Sequence, residues 1–320
     1  MKSVLRLALV LAVAALAAAV LAYRKDIDVA FERVSAGSRI VQTPCGPIEY
    51  ASAGDGDPVL VVHGAGGGFD QGMDFANGLA AGGLRVIAMS RFGYLRTPLP
   101  ADASPAAQAD AHACLLDALG IPRSAILGAS AGAPSSMQFA LRHPERTSAL
   151  VLMVPAAYVP RPGGAPSLNT PAWTAFLFDT ALRSDFLWWA AIRLARKTLI
   201  GSILATPLEV VERADAEEQA RAARILDYIL PVTARRKGLV NDAKITTTLP
   251  RYELERIRAP TLVISVADDR FGTYEPARYT AEHIPGARFV GYLSGGHVWV
   301  GHHREAVAEI AGFLKPDLPR

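Results

Sequence analysis

Short apolar runs alternate with helical patterns along most of this chain, and that alternation restricts its fold more than any other feature. Pro58-Val-Leu-Val-Val62, Leu84-Arg-Val-Ile-Ala-Met89, Ala125-Ile-Leu127, residues 148–154 and Pro260-Thr-Leu-Val-Ile-Ser265 read as strands. Strands that are apolar at successive positions are covered on both faces. Between them the spacing predicts helices over 70–81, 105–119 and 131–142. The second has Ser104 as N-cap, Pro105 at the first helical position and Gly120 as its stop; the third ends before Pro144. Strand, helix, strand, helix builds a parallel sheet with helices on both faces. Two further strands, Arg39-Ile-Val-Gln-Thr43 and Ile48-Glu-Tyr-Ala-Ser52, flank a Pro-Cys-Gly-Pro turn. A helix over 275–283, a strand over 287–292 and a last helix over 304–314 complete the pattern.

The alternation breaks between residues 156 and 250. No strand of that type occurs there, and the segment holds Trp173, Trp188 and Trp189 and helical stretches such as 214–230. It reads as a helical insertion lying over the sheet. The expected division is therefore 1–25 as an N-terminal segment, 26–155 as the first part of a core, 156–250 as the insertion and 251–320 as the second part of the core.

The N-terminal segment is distinct. Residues 4–23 are apolar except for Arg6, with Lys2 in front and Arg24-Lys25 behind. About 20 apolar residues span a bilayer. The length of the run and its Tyr-Arg-Lys stop favour a retained membrane anchor, followed by a polar helical connector over 26–38. A signal peptide cleaved near the small residues Ala17 to Ala19 and Ala22 is the rival reading. The whole chain, with 51% hydrophobic and 20% charged residues, has a globular composition, and a net charge of +3 without basic blocks gives no footprint for nucleic acid. Cys45 and Cys114 form no CxxC pair and read as two small buried side chains. A bridge between them requires an oxidising compartment.

Gly128-Ala-Ser130-Ala-Gly132 lies between a strand and a helix. Such a sharp turn lifts the serine out of the sheet, and side chains in place of the glycines would collide with neighbouring backbone. A serine nucleophile needs a base, and His297 is the histidine in a Gly-rich turn just after a strand. His302 and His303 fall toward the last helix and read as solvated; His112, His143 and His283 read as packing or surface residues. A carboxylate must orient the base. Asp269 follows the strand ending at Ser265; Asp268 faces differently, and Asp242 is the outside candidate. Addition to a carbonyl creates an oxyanion that needs donors. Ala131, at the start of a helix, offers one N–H. Ala65 in His63-Gly-Ala-Gly-Gly-Gly68 offers the other, with Gly66 as the alternative. His63 itself reads as structural.

Taken together, the His63-Gly64 loop, the Ser130 elbow, Asp269 after its strand and Gly296-His297 resemble the α/β-hydrolase superfamily from Thr43 onward. The resemblance is to members with a helical cap inserted after the sixth strand. It implies an α/β fold with a mostly parallel eight-stranded sheet flanked by helices. It also implies esterase-like hydrolysis through an acyl-enzyme, with no metal and no cofactor. Ser130 in place of an aspartate separates the chain from the dehalogenase and epoxide hydrolase branches. Where many relatives carry Asp-x-Arg-Gly-x-Gly-x-Ser, this chain has Ser90-Arg-Phe-Gly-Tyr-Leu-Arg96. The expected partner is a small, fairly apolar acyl substrate, with the membrane as a second partner through residues 4–23. Acyl transfer or perhydrolysis by the same triad, and ligand binding without turnover, are the alternatives.

Overall fold

A computed structural model describes residues 1–160 and 180–315. Its centre is an eight-stranded sheet: β1 (Arg39–Thr43), β2 (Gly46–Ala53), β3 (Pro58–Val62), β4 (Arg85–Met89), β5 (Ser124–Ala129), β6 (Thr147–Met153), β7 (Thr261–Val266) and β8 (Arg288–Tyr292). The spatial order is β1-β2-β4-β3-β5-β6-β7-β8. The β1–β2 and β2–β4 pairs are antiparallel, and the remaining pairs are parallel. In β3, Leu60 and Val62 face one layer of packing while Val59 and Val61 face the other, and all four are buried. Successive side chains of a strand point to opposite faces, so an unbroken apolar run is what a two-sided sheet requires.

The first layer is α3 (Pro105–Ala118), α4 (Ala133–Arg142) and α9 (Tyr274–His283); the second is α2 (Phe69–Ala81) and α10 (His303–Leu314). Ser104 caps α3 by accepting from the Ala107 N–H at 3.2 Å, and Gly120 beyond its end has φ +66°. The helix expected over 131–142 begins instead as a 3-10 turn, Ser130–Gly132, before α4 starts at Ala133. The tight turn lets the chain reverse at once after β5.

α1 runs unbroken from Lys2 to Ser35. The change of polarity at Arg24 is not a change of structure, because no glycine or proline occurs before Gly37. At 1.5 Å per residue, α1 is about 50 Å long. Its first two-thirds is exposed, with a stretch of mean hydropathy 2.7; its last turns bury Ile27, Ala30 and Val34.

Between β6 and β7 lie α5 (Asp185–Ser202), α6 (Leu208–Arg213), α7 (Ala216–Asp227) and α8 (Arg236–Thr247). No strand occurs there among the described residues, and Trp173 lies outside them. α5 departs from helical geometry at Ala195. The helical segment carries its own apolar cluster, which takes in Ile27 and Ala30 of α1 and Val298 and Val300 beside β8. Cys45 and Cys114 are bonded, with Cα atoms 6.1 Å apart. This corrects the expectation of two unpaired side chains: the β1–β2 turn packs onto α3, which brings the sulfurs together.

Candidate active site

β5 delivers Ser130 to the carboxyl edge of the sheet in a left-handed conformation, φ 49°. The turn closes only because its flanks are bare. A Cβ on Gly128 would lie 2.4 Å from Ser136 Oγ, and one on Gly132 would lie 2.4 Å from the Val62 carbonyl oxygen. A Cβ on Gly64 would press on Ser130 itself, at 3.2 Å.

The loops after β7 and β8 bring the other two expected side chains to the same edge. His297 Nε2 lies 2.9 Å from Ser130 Oγ, and His297 Nδ1 lies 2.8 Å from Asp269 Oδ2. Asp269 Oδ2 also accepts from the Thr273 hydroxyl, and Asp269 Oδ1 accepts from the Phe271 N–H at 2.9 Å. Burial pushes the Asp269 carboxyl up, but the His297 ring and these two donors outweigh it and hold its pKa below the ordinary value. It therefore stays ionised and keeps the His297 proton on Nδ1, leaving Nε2 to face the serine. Asp268, one residue away, does face elsewhere: its carboxylate accepts from the Gly296 N–H at 2.7 Å and so braces the turn that carries the base.

Asp242 is far from this chemistry in role. It forms a buried pair with both terminal nitrogens of Arg91, at 2.7 and 2.6 Å, and accepts from the Tyr94 hydroxyl. Arg91 in turn donates to the carbonyls of His63 (2.8 Å) and Gly64 (3.1 Å). The atypical 90–96 loop thus grips the Gly-rich loop from below. His63 is structural: Nδ1 donates to the Gly64 carbonyl at 2.7 Å and Nε2 accepts from the Arg91 N–H at 3.0 Å. Burial, and then the charge of Arg91, drive its pKa well below the usual histidine value, so the ring is neutral. Of the two expected loop donors, Gly66 N–H is engaged by the Tyr94 hydroxyl at 3.3 Å. Ala65 is exposed to the cavity side, and Ala131 sits at the amino end of the 3-10 turn.

A cavity of about 330 Å³ opens over Ser130 and His297. Trp188, Leu204, Ile229, Leu239, Phe271 and Trp299 are among its apolar walls. Trp188 therefore reaches the cavity, whereas Trp189 turns away and donates to Asp26 of α1 at 2.7 Å. Polar groups also line it, among them Gln71, Asp74, Arg221 and His303. His303 corrects the sequence reading, since it is half-buried against Trp299 and Phe75 instead of solvated. Arg221 is engaged twice. It makes a two-pronged pair with Glu218, at 3.0 and 2.8 Å, and donates to the Val298 carbonyl at 2.6 Å. Glu218 accepts from the Gly301 N–H at 2.7 Å. The pair on α7 thereby clamps both sides of the loop that carries His297. Spacing of three along a helix was the only sequence signal for it. Among the described residues no three His, Cys, Asp or Glu side chains are grouped to hold a metal ion.

The family model for the alpha/beta hydrolase fold matches residues 57–300. A 2-hydroxy-6-oxononadienedioate/2-hydroxy-6-oxononatrienedioate hydrolase from Paraburkholderia xenovorans (strain LB400) is 32% identical over 258 residues, covering 75% of this chain and 79% of that protein. Among solved structures, an alpha/beta hydrolase fold protein from Nakamurella multipartita superposes with a TM-score of 0.71 at 30% identity, over 87% of this chain and 99% of that one. A membrane phospholipase A described as a bacterial virulence factor superposes with a TM-score of 0.66 at 22% identity, over 99% of each chain. A sheet of this order, an elbow serine at its carboxyl edge and a family match across three-quarters of the sequence lead to one assignment: the chain belongs to the α/β-hydrolase fold family.

Proposed function

We propose that the protein is a serine hydrolase that cleaves a carboxylic ester of an uncharged, largely apolar acyl substrate. The observation that carries this reading is the continuous chain from Ser130 Oγ through His297 to Asp269, with links of 2.9 and 2.8 Å, at the floor of an apolar cavity. In the first half-reaction His297 Nε2 takes the Ser130 proton as Oγ adds to the ester carbonyl. The N–H groups of Ala65 and Ala131 hold the oxyanion. The intermediate collapses, the alcohol leaves with the proton from His297, and Ser130 keeps the acyl group. Water, deprotonated by His297, then releases the acid and restores the serine. Asp269 keeps its charge throughout and stabilises the imidazolium. The helices α5 to α8, within the insertion expected over 156–250, act as the cap over the cavity.

The relative from Paraburkholderia xenovorans is named for a dioate, which carries two carboxylates. That name makes hydrolysis of such a dienedioate the second reading. The cavity argues for the ester: among the described residues its one Lys or Arg is Arg221, already committed to Glu218 and Val298. A panel of neutral p-nitrophenyl esters and of 2-hydroxy-6-oxo-dienoates, run on the purified full chain, separates the two. Faster turnover of the neutral esters is expected; faster turnover of the dienoates overturns the ester reading.

We further propose that residues 4–23 of α1 anchor the protein in a membrane with the hydrolase core on the oxidising side. Two things support this: an apolar helical stretch in which no residue is buried, and the Cys45–Cys114 bond, which persists in oxidising compartments.

A further inference from the structure

The anchor does not end in free linker but on α5, and α5 carries an apolar face that is largely exposed among the described residues. Tyr23 packs edge-on against Phe186, with ring centroids 5.2 Å apart, and against Trp189 at 5.6 Å. Asp26 accepts from Trp189 Nε1 and pairs with Arg193. On the far side of α5 from the apolar cluster, Leu187 and Leu194 are 50% and 87% exposed, and Phe186 at the margin of that face is 41% exposed. Leu187 and Leu194 are two helical turns apart and so share one face.

Three observations say what covers that face. The first is depth. The apolar stretch of α1 stops at Tyr23, and Arg24 and Lys25 follow, exposed; aromatic and basic residues in that order mark the headgroup level of a bilayer. Phe186 and Trp189, pressed onto Tyr23, sit at the same level. The second is continuity. Asp26, just beyond Tyr23 on α1, pairs with Arg193, so α5 from Phe186 to Arg193 is tied to α1 where its apolar stretch ends. The third is charge. Exposed Arg24, Lys25, Arg193 and Lys197 flank the apolar face. Asp26, Asp28 and Glu212 balance them in part, and the exposed pairs with Asp26 and Glu212 hold little energy. An apolar strip bordered by cations is the surface that rests in an anionic interface.

We infer that α5 is a membrane-docking helix, resting its Phe186–Leu187–Leu194 face on the anionic bilayer surface that α1 enters. This rests on the anchor reading above. Its consequence concerns the substrate. The opposite side of α5 and the turn after it supply Trp188, Ile203 and Leu204 to the cavity wall. Among the described residues α5 then stands between lipid and the cavity over Ser130, and the acyl substrate is a lipid ester drawn from the bilayer.

The test uses the full chain in vesicles of phosphatidylcholine and phosphatidylglycerol. With both native cysteines bonded, single cysteines introduced at Leu187→Cys, Leu194→Cys, Val10→Cys and Asp55→Cys carry an environment-sensitive dye. Asp55 lies in the β2–β3 turn, at the sheet edge opposite the site. Quenching by nitroxide lipids is read at each position. Quenching at 10, 187 and 194 but not 55 is the expected result. Quenching at 10 with none at 187 or 194 overturns the docking inference and leaves the anchor standing; no quenching at 10 removes both. Protection of Leu194→Cys that follows protein concentration and not lipid assigns the face to a second copy and also overturns it. In parallel, Leu187→Glu combined with Leu194→Glu is expected to hydrolyse a soluble short-chain ester at the parent rate while losing about tenfold on a vesicle-borne ester. Equal rates on both substrates count against the inference.

Discussion

Ser130 holds a backbone conformation that side chains avoid, at a cost of about 1–2 kcal/mol, and its surroundings are arranged so that only glycine fits at 128 and 132. That constraint is local, and so the elbow was legible in five residues of sequence. Asp269 was legible because it follows a strand whose end fixes where it points. Thr273 and Phe271 were not, because their role depends on how the chain folds back beyond the strand. Exchange of Asp269→Asn is expected to lower kcat by about four orders of magnitude, since an amide cannot hold the required tautomer. Thr273→Val removes one of the three donors to Asp269 and is expected to cost about tenfold in kcat. Steady-state rates on a neutral ester check both, with circular dichroism to confirm the fold. Equal losses from the two variants would contradict the ranking.

At the scale of elements, the loops at the sheet edge are not self-supporting. The 90–96 loop grips the Gly-rich loop through Arg91, and α7 clamps the His297 loop through Arg221 and Glu218. Strand and helix periods do not encode such contacts, which join residues as distant as 91 and 242, and the sequence offered only the unusual composition of 90–96 and the spacing of three between Glu218 and Arg221. Breaking a buried pair by removing one partner costs about 3–5 kcal/mol. Asp242→Asn is therefore expected to lower the unfolding free energy by that order, measured by urea titration. Arg221→Lys keeps the charge but loses the fork. It is expected to reduce kcat by about tenfold with a smaller loss of stability, because it releases the loop that carries the base without leaving an uncompensated charge. A stability loss with kcat unchanged would make the pair a mere strut.

For the molecule as a whole, the strands and their parallel, two-sided layering were anticipated from apolar runs and helix spacing because such a sheet writes its burial into consecutive residues. The unbroken α1 and the Cys45–Cys114 bond were not, since one needs the absence of a breaker to outweigh a change of polarity and the other needs the spatial pairing. Burial also sets how the fold responds to acid. His63 and His112 are fully enclosed, and desolvation lowers both pKa values, His112 to about 3. Asp70 and Asp269 are lowered too. For Asp70, burial opposes the shift and Arg235 and Arg33 overcome it. In all four groups the folded chain binds protons less readily than the unfolded one. Their stabilisation is complete above about pH 6.5 for the histidines and about pH 4 for the carboxylates, and it is lost as pH falls below those values. Urea midpoints are thus expected to fall steadily from about pH 7 downward, and His112→Gln to flatten the upper part of that decline. A midpoint that rises on acidification would contradict the assignment of neutral buried rings. The central claim, that Ser130 is the nucleophile activated by His297 and Asp269, is tested most directly by treating the full chain with a fluorophosphonate and mapping the adduct by mass spectrometry. One adduct is expected, on Ser130, absent from Ser130→Ala and slow to form in His297→Gln; an adduct that persists in folded Ser130→Ala protein would rule Ser130 out as the nucleophile.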